Sequence, residues 1–269
     1  MKRRILAMAT GWASGILLAG QVQAQEVPTV SQSADNDRGQ MIATFYYSKS
    51  TRGFDADGQT IDISDYEKLE LYVLAEYHVS DDLTLLLKPS LRDVSVEGGE
   101  DSSGLGYTDI GARYRLTGDN DRSLAFEATA RIPGVDREDS IAQVGSTDAE
   151  YDLRLRGFHG FALGEDSGFV DLQGSYRLRE GDPPNEFHAD ITLGYRPLPD
   201  LLLMAQSFST ISDGSGQGIF DRYAYHNVQL SAVKQVAPGV SLQAGWVGTI
   251  GGRNALRERG VFAGLWLSF

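Results

Sequence analysis

The chain has 269 residues, no cysteine, 41% hydrophobic and 23% charged residues, and a formal charge of −13. Without cysteine it holds no disulfide, no cysteine zinc site and no thiol nucleophile. The apolar share is too high for a disordered chain, and the acidity argues against non-specific binding to nucleic-acid phosphates.

The N-terminus carries an address. Lys2-Arg3-Arg4 is a basic start, Ile5 to Ala19 is an apolar stretch broken by Thr10 and Ser14, and Val22-Gln23-Ala24 is a small-residue cleavage site. This is the pattern of a secretory signal peptide over residues 1–24. Its removal leaves 245 residues and a charge of −16, the size of one large domain. Residues 25–38 are polar and without period, and are expected to form a periplasmic leader. Beyond the signal, no run approaches the roughly 18 apolar residues of a membrane helix.

From residue 39 to 269 the apolar residues alternate with polar ones. Leu69, Leu71, Val73, Ala75 and Tyr77 face one way and Glu70, Tyr72, Glu76 and His78 the other. Ile110, Ala112, Tyr114 and Leu116 alternate with Asp109, Arg113 and Arg115. Period two means strands with two unlike faces. Twelve strands are predicted, over 39–50, 66–79, 83–95, 106–116, 123–133, 151–162, 168–179, 186–197, 201–211, 223–236, 240–250 and 260–269. The connections alternate: short at 80–82, 117–122, 163–167, 198–200 and 237–239, long at 51–65, 96–105, 134–150, 180–185, 212–222 and 251–259. They are rich in the Gly, Asp, Ser and Pro that turns use.

An even number of two-faced strands with alternating turns and loops predicts an all-β fold, a single antiparallel up-and-down barrel in the bacterial outer membrane. A soluble sandwich or lipocalin-like barrel would turn the apolar face inward instead. Secretion, strands of about ten residues that span a tilted bilayer, and the height of the aromatics favour the membrane form. Tyr77, Tyr114, Phe126 and Tyr195 lie on the apolar face near short turns, and Tyr47, Tyr151 and Phe187 on that face near long loops. Such rows resemble interfacial girdles. The last strand has an unbroken apolar face of Val261, Ala263, Leu265, Leu267 and Phe269. It resembles the terminal signal read by the barrel-assembly machinery, an expected partner together with outer-membrane lipid and lipopolysaccharide. This strand must close the barrel so that no edge stays open in lipid.

Gly104-Leu-Gly-Tyr-Thr-Asp-Ile-Gly-Ala-Arg-Tyr-Arg-Leu116, the following strand ending Arg131-Ile-Pro-Gly134, and Arg253-Asn-Ala-Leu-Arg-Glu-Arg-Gly260 carry a family resemblance over about 66–269. The chain resembles the outer-membrane barrel family labelled for a meta-pathway of phenol degradation. The resemblance implies a transporter-like barrel passing small, often aromatic, compounds.

No chemistry of an enzyme emerges. A serine hydrolase needs a histidine beside its serine, and none of His78, His159, His188 and His226 opens a His-x-Ser. No histidine pair has metal-ligand spacing, and Gly214-Ser-Gly-Gln-Gly218 opens no helix that would cradle a phosphate. No catalytic, cofactor or metal residue is expected. The loop acids at Asp55-Ala-Asp57 and Arg137-Glu-Asp139 are solvated, with divalent-ion binding as the alternative.

The polar face of strands two to eight carries seven acids and ten bases: Glu70, Glu76, Asp109, Glu127, Asp152, Asp171 and Asp190, against Lys88, Arg92, Arg113, Arg115, Arg131, Arg154, Arg156, Arg177, Arg179 and Arg196. The expected pore lining is Glu70, Lys88, Arg92, Asp109, Arg113, Glu127, Arg131, Arg154, Asp171 and Asp190. Opposed residues of an antiparallel hairpin have numbers of constant sum. A turn centred on Asn120 sets Arg113 opposite Glu127 and Asp109 opposite Arg131, and one centred on Asp81 sets Glu70 opposite Arg92. Three functions fit: a channel for small solutes, a structural or adhesive barrel acting through acidic loops, and a lipid-modifying enzyme.

Overall fold

The computed structural model describes residues 38–99, 101–134, 148–218 and 220–269. The signal peptide, nearly all of the leader and the acidic cluster at Arg137–Asp139 lie outside them. The described chain forms β1 (Gly39–Phe54), β2 (Thr60–His78), β3 (Leu83–Val96), β4 (Ser102–Gly118), β5 (Arg122–Ile132), β6 (Glu150–Leu163), β7 (Asp166–Arg179), β8 (Glu186–Leu198), β9 (Leu201–Ser212), β10 (Ala224–Ala237), β11 (Val240–Arg253), β12 (Ala255–Leu256) and β13 (Arg259–Ser268).

From β1 to β11 each strand pairs antiparallel with the next, β11 pairs with β13, and β1 pairs with β2 on one side and with β12 and β13 on the other. The sheet therefore closes, with β12 and β13 as two pieces of the twelfth barrel strand. The two ends of the barrel chain meet: Gly39 N–H donates to the Phe269 carbonyl at 2.9 Å and Phe269 N–H to the Gly39 carbonyl at 3.0 Å. This junction shares a rim with the short connections 79–82, 119–121, 164–165, 199–200 and 238–239. The longer connections lie at the opposite rim.

Alternation sets the two faces. Leu71, Leu85, Leu87, Leu193 and Leu230 are exposed on the outside, as are Tyr77, Tyr114, Phe126, Tyr151, Tyr195 and Phe187 of the expected girdles. Leaving this much apolar surface uncovered would be costly in water. In a bilayer it is the solvated face, so the fold is that of an outer-membrane barrel.

Two expected loops are strand. Residues 51–65 reduce to a connection at 55–59, because β1 runs on to Phe54 and β2 begins at Thr60. Ile61 and Ile63 pack against an interior cluster of Tyr66, Val94, Val96 and Leu256. The extension was hidden because the register shifts between Ser50 and Arg52, and a bulge breaks the period of two. Residues 251–259 are likewise mostly strand. The chain reverses at Asn254, whose φ of 46° is a left-handed conformation that asparagine tolerates better than most residues.

Candidate functional site

The barrel interior is built from the inward residue of each strand pair, and on β2 to β8 many of those residues are charged. The three expected cross-strand pairs are directly opposed and bonded. Arg92 Nε donates to Glu70 Oε1 at 2.7 Å, Arg113 Nε to Glu127 Oε2 at 2.9 Å, and Arg131 Nε to Asp109 Oδ1 at 2.9 Å. In β4–β5 the register shifts at a bulge between Arg115 and Thr117, and beyond it the pairs fall on the sum set by a centre at Asn120.

Further ion pairs extend these around the wall. Arg113 also donates to Glu76 at 2.9 Å, and Lys88 meets Asp109 at 2.9 Å. Arg131 on β5 donates to Glu150 on β6 at 2.8 Å, which also accepts from Arg179 at 2.8 Å. Arg154 donates to Asp190 at 2.9 Å, and Arg156 to Asp171 at 2.6 Å. Arg177 bonds Asp152 at 3.1 Å and Glu186 at 3.3 Å. All ten residues of the expected lining thus point into the barrel and take part in ion pairs, and most of these side chains are buried. Arg115 departs from the expected lumen row: it sits at the turn rim, where its Nε donates to Asp82 at 3.1 Å and its Nη1 to Asn120 at 3.3 Å.

Several interior charges were not foreseen. Glu150 and Glu186 open their strands beside long connections, where the period has only just begun. Glu258 lies in the break between β12 and β13, 1% exposed, accepting from Ser48 at 3.3 Å with Lys68 at 3.6 Å. These three acids against the single base Lys68 bring the interior close to charge balance, where the sequence count had been basic. Tyr107, at the family-like motif, is 2% exposed. Its hydroxyl donates to the Asp148 carbonyl at 2.9 Å, and Arg131 lies 4.6 Å from its ring centre.

The opposite wall, β1 and β9 to β13, is largely neutral. Toward the loop rim it presents Tyr46, Ser48, Thr210, Tyr225, Asn227 and Thr249, all buried. Toward the turn rim the inward residues become apolar, and Ile42, Leu74, Phe169, Leu202, Met204, Val233 and Trp266 pack together inside the barrel. This cluster was not expected, because Leu74 and Trp266 interrupt faces that otherwise read as polar or mixed.

Among the described residues, His78 Nδ1 lies 2.9 Å from Thr84 Oγ1 and His226 Nδ1 lies 2.9 Å from Ser209 Oγ, and a third histidine adds a carboxylate to such a pair. His188 Nδ1 lies 3.1 Å from Thr210 Oγ1, and its Nε2 lies 3.0 Å from Glu186. Thr210 is 3% exposed, and Glu186 is tied to Arg177 and Arg179. A substrate carbonyl cannot reach that hydroxyl as it stands, so the triad serves the interior network. Among the described residues no group of three or more His, Asp or Glu side chains could hold a metal ion.

A family model described as "Putative MetA-pathway of phenol degradation" matches residues 29–269. No curated protein matches the chain. Among solved structures, an outer membrane channel from Pseudomonas putida F1 superposes with a TM-score of 0.75 at 19% identity, over 91% of this chain and 100% of that one. The transport unit of the autotransporter AIDA-I from Escherichia coli gives 0.54 at 9% identity, over 96% and 98%. The β domain of the Bordetella autotransporter BrkA gives 0.52 at 14%, over 87% and 100%. At these identities the likeness is one of fold.

Proposed function

The chain belongs to the family described as "Putative MetA-pathway of phenol degradation", and on that footing we propose that it is an outer-membrane channel for the passive entry of small solutes, aromatic ones included. The observation that carries this reading is a polar interior inside a closed barrel twelve strands wide. Side chains about fill an eight-stranded barrel, while barrels of 16–18 strands hold open aqueous channels. Twelve strands lie between, wide enough for a narrow path beside the paired charges. The similar fold of a Pseudomonas channel supports the same reading.

With an even number of barrel strands and both ends of the barrel segment, Gly39 and Phe269, at the turn rim, that rim faces the periplasm and the loop rim faces outside. The exposed Phe269 at the end of β13 then serves as the handle for the barrel-assembly machinery, and lipid and lipopolysaccharide cover the apolar exterior. The barrel acts without a catalytic step. An adhesive role loses support from the loop rim, where two expected long loops shrink to 55–59 and 97–101. A liposome-swelling panel of sugars, amino acids and small aromatics tests the proposal. Swelling that depends on the folded protein is expected for at least one class, and none for any class would refute it.

A further inference from the structure

The apolar cluster at the turn rim is placed by register. Ile42 on β1 stands directly opposite both Leu74 on β2 and Trp266 on β13. Leu202 on β9 stands opposite Val233 on β10. Phe169 on β7 and Met204 on β9 both oppose Gly194 on β8. The absence of a side chain at Gly194 is what admits the Phe169 ring: a β-carbon there would lie 1.9 Å from Phe169 Cε1. The Trp266 indole is pinned from the side, its Nε1–H donating to Gln243 Oε1 at 3.0 Å. The seven residues thus form an arc from β2 through β1, β13, β10 and β9 to β7, with the charged strands β3 to β6 completing the wall.

In an open, wet pore these side chains would face water. Instead Ile42 is 1% exposed, Leu74 2%, Leu202 2% and Met204 3%, because they pack on one another. An apolar constriction excludes water and so blocks ions, which would have to shed their hydration to enter. An uncharged solute sheds far less hydration free energy than an ion does. The charged wall on β2 to β8 does not compensate an entering ion, since its carboxylates and guanidinium groups already neutralise each other.

We infer that this collar is the selectivity element of the barrel, a hydrophobic gate near the periplasmic exit that passes uncharged solutes and holds back ions. The inference rests on the channel reading above. Its test uses the folded mature protein in two formats, swelling of liposomes in arabinose and potassium chloride current across a planar bilayer. Wild type is expected to admit arabinose with no resolvable current steps. Leu202→Ser with Val233→Ser should raise the ion current by roughly an order of magnitude. Ile42→Thr keeps the branched shape and should raise it less; it also serves should the double variant fail to fold. Wild type conducting ions as freely as the variants would overturn the gate and leave the channel standing. So would folded variants that admit arabinose but no more ions than wild type. Failure of wild type and variants alike to pass either probe would overturn the channel reading, and the gate with it.

Discussion

At the scale of single residues, the interior charges differ in what they can lose. Asp109 is held between Lys88 and Arg131, each at 2.9 Å. Asp109→Asn would leave two cations in the interior without their shared carboxylate. Breaking a buried pair in this way costs about 3–5 kcal/mol, so the variant should lose its heat-modifiable band in detergent gels at a clearly lower temperature; an unchanged transition would place Asp109 outside the supporting network. The turn acid Asp119 behaves differently. Its carboxylate accepts from the Arg122 and Asp121 backbone N–H groups at 2.9 Å each, and these bonds hold its pKa below the ordinary aspartate value. The folded value being the lower one, the stabilisation is complete above the unfolded value of about 4. It is lost as pH falls through the lowered folded value. The stability gap between wild type and Asp119→Ala should therefore hold from neutral pH down to mild acid and close in stronger acid, and a pH-independent gap would contradict the assignment.

At the scale of elements, the strand faces were legible and the strand ends were not. The regular alternation of β8 places Leu193 outside and Asp190 inside, as the period of two requires. Leu193→Arg should cost about 2–4 kcal/mol by putting a charge into hydrocarbon near mid-barrel, read as a lowered denaturation midpoint in lipid vesicles; a neutral outcome would place Leu193 away from the membrane core. The register of the Glu70 pair could be read from numbering because the β2–β3 pairing runs without a shift, whereas Arg113 and Asp109 meet their partners beyond a bulge between Arg115 and Thr117 that brings the pairing onto the sum set by Asn120. The extensions of β1, β2 and β11 could not, because a bulge near Thr51 and a reversal at Asn254 interrupt the period that identifies a strand. Glu150, Glu186 and Glu258 were hidden for the same reason, each lying where the alternation starts or breaks. The apolar collar was hidden for another. Leu74 and Trp266 belong to the inner face by position but to the outer face by chemistry, and alternation alone offers no reason to gather such exceptions from separate strands at one height.

For the whole molecule, barrel and channel alike depend on which face of each strand meets lipid and which meets the lumen. The absence of cysteine makes that directly measurable, since a single introduced thiol is the only one to label. Nitroxide-labelled cysteines placed one at a time at Asp190, Ile191, Thr192, Leu193 and Tyr195 of β8 can be read for collision with oxygen dissolved in the bilayer. High oxygen accessibility is expected at 191, 193 and 195 and low accessibility at 190 and 192, in folded protein reconstituted in vesicles. The reverse alternation, or accessibility without a period of two, would contradict a barrel that keeps its charges inside and its leucines in lipid.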